Sequence, residues 1–207
     1  MSKKSSSGRD ISRRKVLQSA VSATSVSLIP LTSCTTPVSA PQQVLSREAW
    51  LILEAFTDRI IPADANGPGA VAAGVPYYIE NSLASWNAEE LESLSAGLFS
   101  LTIAARNRYD LDFQLLSDNN KDALLRDMED GKIDAFENSA VIFSRLHRLT
   151  LEGMFSDPYY GGNQGYIGWD LIGYPGAVMS STAQMQQMGG RLHPWHTSAY
   201  GSDYDGE

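Results

Sequence analysis

Across residues 46–154 the apolar residues recur every three or four positions. That spacing stacks side chains on one face of an α-helix and conflicts with the two-residue alternation of a half-buried strand. It confines the chain to a mainly α fold, one globular domain of helices joined by short loops. Ser46 can cap a first helix in which Ile52, Leu53, Phe56 and Ile60 share a face, and Pro62 closes it. After a loop broken by Asn66-Gly67-Pro68-Gly69, a second helix is expected over 71–85, with Gly74-Val75-Pro76 placed to delay its start. Asn87 with Glu90 three residues on reads as the cap of a third helix carrying Leu91, Leu94, Leu98, Leu101 and Ala105. Ser117 opens a fourth with Leu124, Leu125 and Met128, stopped by Gly131. Asp134 opens a fifth, whose expected face holds Phe136, Ala140, Phe143, His147, Leu151 and Met154.

Residues 155–176 depart from this pattern, because glycines and aromatics dominate them. Such a composition predicts a long irregular segment that does not sustain a helix, and ordered loops of this length tend to be functional surfaces. Tyrosine and tryptophan offer rigid contact area with a polar handle, and glycine lets backbones approach closely. The segment is therefore expected to bind a partner, through Phe155, Asp157, Pro158, Tyr160, Gly161, Gly162, Asn163, Trp169, Tyr174 and Pro175. Trp169, Tyr160 and Tyr174 could also line a sugar platform, and either use expects exposed rings.

The ionisable residues are weighed against plainer roles. His147 lies on an apolar face and is expected to be a packed residue instead of a catalyst. His193 and His196 have a spacing that can bind metal, but no third ligand is placed by the sequence, so no metal site is assigned. Asp64, Asp157 and Asp170 could supply paired carboxylates for glycoside chemistry. Asp157 before Pro158 reads better as a turn former, and Asp170 after Trp169 likewise. No glycine-rich dinucleotide loop or phosphate loop is present in the sequence, and no catalytic or cofactor-binding residue is assigned to this chain.

The first 33 residues form a separate unit of composition. They hold six of the sixteen Lys and Arg residues and one acid, Asp10. The remainder carries ten basic and twenty-three acidic residues, a formal charge of −13, which disfavours nucleic acid as a partner. Within the leader, Ser12-Arg13-Arg14-Lys15-Val16-Leu17 precedes an apolar stretch over 16–31 diluted by serines and broken by Pro30. Arg13 and Arg14 so placed resemble a twin-arginine export signal, with Val16 where that pattern usually has Phe. The stretch is shorter than the roughly 20 apolar residues of a membrane span. It ends in Leu31-Thr32-Ser33-Cys34, which resembles a lipobox, and the sole cysteine of the chain falls where that signal would attach lipid. Cleavage after Ala40, in Val38-Ser39-Ala40, is the alternative. The expected organisation is a signal over 1–33, a tether over 34–45 and a helical domain over 46–207, with the product periplasmic and held at the membrane through Cys34.

Three stretches together resemble subunit 3 of the gluconate 2-dehydrogenase family. These are Asp58-Arg59-Ile60-Ile61-Pro62-Ala63-Asp64; Pro68-Gly69-Ala70 with Ala73-Gly74-Val75; and Phe155-Ser156-Asp157-Pro158 followed by Tyr160-Gly161-Gly162-Asn163, Gly168-Trp169 and Gly173-Tyr174-Pro175-Gly176. The resemblance implies a helical, non-catalytic small subunit without a cofactor of its own. Such a subunit escorts a large FAD-containing sugar or sugar-acid dehydrogenase through twin-arginine export and stabilises it, and the complex passes electrons to a cytochrome c or a quinone. The competing expectations are an independent periplasmic carbohydrate-active enzyme and a carbohydrate-binding lipoprotein. Residues 177–207 lie outside the matched motifs.

Overall fold

The computed structural model describes residues 43–178, 180–183, 185–187 and 195–201. Arg13, Arg14, Cys34, His193 and all of the tether before Gln43 lie outside the described residues. Six α-helices and no strand occur among the described residues, as the spacing of apolar residues requires.

Helix α1 (Arg47–Ile60) starts at Ser46, whose hydroxyl accepts the Ala49 amide at 3.1 Å, and buries Ile52, Leu53 and Phe56. In its last turn Arg59 forks onto Asp122 (2.8 and 3.0 Å) and reaches Asp118 at 3.0 Å, tying α1 to the start of a later helix. Helix α2 (Val75–Ala84) begins four residues later than the pattern from Val71 suggests, because Pro76 suits a first turn, where no amide partner is missed. Helix α3 (Leu91–Tyr109) buries Leu94, Leu98, Leu101 and Ala105, the expected stripe. Its expected capping box does not form. The Asn87 side chain donates instead from Nδ2 to the Ser82 hydroxyl at 2.6 Å, and a short 3-10 turn (Ala88–Glu90) leads into the helix. Glu90 is drawn to two arginines of a later helix, Arg145 at 2.6 Å and Arg148 at 3.7 Å, a stronger attraction than one amide offers.

Helix α4 (Asp118–Glu129) packs Leu124, Leu125 and Met128 inward. Helix α5 (Ser139–Phe155) starts five residues later than Asp134, because Ala135 adopts a left-handed φ of 59° that a continuing helix forbids. Its buried face is Ile142, Phe143, Leu146, Leu149, Thr150, Gly153 and Met154. The expected face is thus rotated, and Leu151 is exposed. His147 is half-buried and stacks on Phe143 at 5.8 Å, the packed role expected of it. Helix α5 touches α1, α2, α3 and α4, so it is the axis on which the others lean. No helix among the described residues is long and apolar enough to cross a membrane.

Candidate functional site: an aromatic ledge on a glycine-built platform

The chain leaves α5 at Ser156 and immediately turns. Asp157 is extended, its Oδ1 accepts the Tyr159 amide at 3.0 Å, and a 3-10 turn (Pro158–Tyr160) follows, the turn-forming role expected of Asp157. A second short turn (Gln164–Tyr166) then enters helix α6 (Ile167–Ile172). The segment therefore does sustain a helix, against expectation. The reason is Asn163. The residue flanking α6, Tyr166, offers no side-chain cap, and the Asn163 Oδ1 takes its place by accepting the amides of Gly168 at 2.8 Å and Trp169 at 3.4 Å. These are first-turn amides that would otherwise lack partners. The same side chain donates from Nδ2 to the Ser156 carbonyl at 2.9 Å, so a fully buried asparagine ties the end of α5 to the start of α6.

Close backbone approach explains two of the glycines. A Cβ on Gly162 would meet the carbonyl of Gly153, and one on Gly168 would meet the carbonyl of Met154. Both contacts lie on the last turn of α5, so the segment is pressed against the helix end at a separation only glycine permits. Trp169 locks the arrangement from inside: it is buried and donates from Nε1 to the Phe155 carbonyl at 3.0 Å, with Tyr174 edge-on to it at 4.9 Å.

This geometry divides the expected interface residues. Pro158, Gly162, Asn163 and Trp169 are buried within this chain and build the platform; Phe155, Asp157, Tyr160, Gly161 and Pro175 are half-buried; Tyr174 is exposed. Trp169 is thus a plug, not the exposed ring that the sequence suggests.

The exposed surface of the platform is an aromatic ledge. Trp86, from the turn after α2, lies edge-on to Tyr160 at 5.7 Å; Tyr159 stacks on Tyr200 at 4.1 Å; and the Tyr160 and Tyr200 hydroxyls bond each other. Trp86, Tyr159 and Tyr200 are 48%, 49% and 57% exposed. Beneath them Tyr78 meets Trp86 at 6.0 Å and donates its hydroxyl to Glu152 at 3.3 Å. Burial, then the negative charge of Glu152, pushes Tyr78 up to about 12. The hydrogen bond with Tyr160 raises Tyr200 as well. Trp86 and Tyr200 were not legible as site residues: Trp86 sits in an ordinary interhelical turn, and Tyr200 lies beyond every motif.

The remaining candidates have structural partners. Asp64 accepts from the amide and side chain of Asn66, which hold its carboxyl below the usual range. Asp170 pairs with His196 at 2.8 Å, and the His196 ring stacks on Tyr166 at 4.5 Å. No group of three or more metal-ligating side chains occurs among the described residues. Clefts of about 550, 500 and 480 Å³ open beside α3, and none of these three is lined by residues of the 155–176 segment.

The fold is thus a mainly α domain whose glycine-rich segment forms a rigid aromatic face against the end of its central helix. A family model described as Gluconate 2-dehydrogenase subunit 3 matches residues 47–176, and this chain belongs to that family. A member is one subunit of a dehydrogenase complex, which implies a larger dehydrogenase chain as partner. No match is found among curated proteins or among solved structures.

Proposed function

We propose that this chain is a non-catalytic small subunit that escorts a flavin-dependent sugar or sugar-acid dehydrogenase through twin-arginine export and stabilises it in the periplasm. The observation that carries the reading is membership of a family of dehydrogenase subunits. The leader adds to it: Arg13 and Arg14 mark a route for folded passengers, which suits export of a second, cofactor-loaded chain. In this reading FAD belongs to the partner, a cytochrome c or a quinone is the electron acceptor, and lipid on Cys34 holds the complex at the membrane despite its acidic surface.

The test is to produce the large subunit with and without this chain and to assay flavin-bearing dehydrogenase in the periplasm. Export that depends on this chain, and is lost on replacing both Arg13→Lys and Arg14→Lys, supports the escort. Equal export in its absence defeats it. Cys34→Ala should release the complex in soluble form without blocking export. The exposed rings of Trp86 and Tyr200 also fit a carbohydrate-binding lipoprotein. Sugar binding by a partner-free, monodisperse chain would favour that reading instead.

A further inference from the structure

The family match ends at residue 176, yet the chain returns to the motif afterwards. Residues 195–201 lie beside 174–177, with a parallel bridge between Gly176 and Thr197: Ala177 donates to the Thr197 carbonyl at 2.7 Å and Trp195 to the Pro175 carbonyl at 2.9 Å. Asp157 clamps the return from below. Its Oδ1 accepts the Ser198 hydroxyl and its Oδ2 the Ala199 amide, both at 2.8 Å. Ser198 is buried, so this clamp is an internal joint, and it delivers Tyr200 onto Tyr159 and Tyr160.

We infer that this C-terminal strap completes the docking face for the large dehydrogenase subunit: Trp86, Tyr159, Tyr160 and Tyr200 together seat on an uncharged, apolar area of that partner. The inference rests on the subunit reading above and adds where the partner sits and which segment outside the family match selects it.

Charge and area both argue for this occupant. The chain beyond residue 33 is strongly acidic, but the four ledge residues themselves are all uncharged aromatics. Asp157, the acid beneath it, spends both oxygens inward, and the nearby Glu152 is paired with Arg148 at 2.7 Å. The Tyr160 and Tyr200 hydroxyls bond each other, so covering the rings strips less water from this pair than from two separate phenols. Side chains of this kind bury about 150–250 Å² each, so three half-exposed rings leave roughly 300 Å² of aromatic surface. That is a functional-sized patch and about a third of the ~800 Å² each partner contributes to a standard interface. A second copy meeting ledge to ledge would bury only about 600 Å² in total, short of the ~1,200 Å² of a stable pair. A larger partner that also grips the surroundings is the better fit.

The experiment uses the full chain co-produced with its large subunit, with p-benzoylphenylalanine replacing Trp86 or Tyr200 and, as comparators, the exposed Ile103 or Leu115. Light-induced adducts to the flavin-bearing chain are expected from positions 86 and 200 and not from 103 or 115. Trp86→Ala and Tyr200→Ala should each weaken the complex by about 30-fold, the scale of an interface hot spot, with melting temperature checked to exclude misfolding. Adducts from 103 or 115 alone, adducts linking two copies of this chain, or a complex indifferent to both substitutions would overturn the docking face. Adducts from 86 without any from 200 would overturn the role of the strap. Absence of a large subunit from the unsubstituted preparation would instead defeat the subunit reading itself.

Discussion

Asn163→Ala removes one small side chain and with it three hydrogen bonds. The bond to the Trp169 amide, at 3.4 Å, is long and contributes little; those to Gly168 at 2.8 Å and from Asn163 to Ser156 at 2.9 Å are well formed. Since Asn163 is fully buried, the Gly168 amide and the Ser156 carbonyl would be left without partners. Each orphan costs about 1–3 kcal/mol, and helix α6 also loses its only side-chain cap, so a loss of ~3 kcal/mol is expected. At 2–4 °C per kcal/mol for a domain of this size, the melting temperature should fall by about 6–12 °C. The left-handed φ of 47° at this position adds in the same direction, because alanine tolerates it less well than asparagine. Asn163→Asp sharpens the test. The shape and both accepted amides survive, but at neutral pH a carboxylate oxygen faces the Ser156 carbonyl where an amide donor stood. Burial raises the folded pKa of such an acid, so its penalty grows as pH rises through the unfolded value of about 3.9 and is smallest in acid, where the protonated group can donate. Thermal melts followed by far- and near-ultraviolet circular dichroism report both backbone and Trp169. Melting temperatures of both variants within about 2 °C of the parent would refute the argument that this side chain joins α5 to α6.

Three further outcomes follow from the same geometry. Gly168→Ala drives a methyl into the Met154 carbonyl and should destabilise by about 3 kcal/mol, read as a lowered urea midpoint, whereas Gly165→Ala, with open space around it, should cost about 1 kcal/mol for its left-handed backbone alone. Arg59→Ala should cost about 1–2 kcal/mol by parting α1 from Asp118 and Asp122, with Arg59→Lys recovering only part because one ammonium cannot fork; since Arg59 holds the Asp122 carboxyl below its usual range, this difference should be full near neutrality and fade as pH falls through the carboxylate range. Tyr78, pushed up to about 12, keeps its proton in the folded state while the unfolded chain loses it near 10, so stability should fall between those values; ultraviolet titration should show a late tyrosine that disappears in Tyr78→Phe.

What could be read from the sequence was what depends on near neighbours. Ile52, Leu53 and Phe56 had to share a face whatever they packed against, and Ser46 needed only the amide of Ala49. Where a distant group competed, the local reading failed. Asn87 and Glu90 have the spacing of a capping box, but Ser82 and the two arginines of α5 claim their side chains. Asp134 resembles a helix start, but the left-handed Ala135 postpones α5 to Ser139. The site was half legible. The composition of 155–176 set the segment apart from the helices, but spacing could not say that Trp169 turns inward while Trp86, about seventy residues from the motif, turns out beside Tyr160. Nor could it foresee Asp157 as the anchor of a strap that arrives forty residues later.

The ledge has one more consequence, for timing. Its rings come from positions 86, 159, 160 and 200, and its footing is the last turn of α5, so no fragment shorter than Trp86 to Tyr200 carries it. A nascent chain emerging in order exposes Trp86 well before Tyr200. In the docking reading proposed above, a competent face therefore waits until Tyr200 has emerged and the central helix is in place. A partner that recognises all four rings would then select the folded chain, and a copy cut before Tyr200 or misfolded at α5 would not present the face.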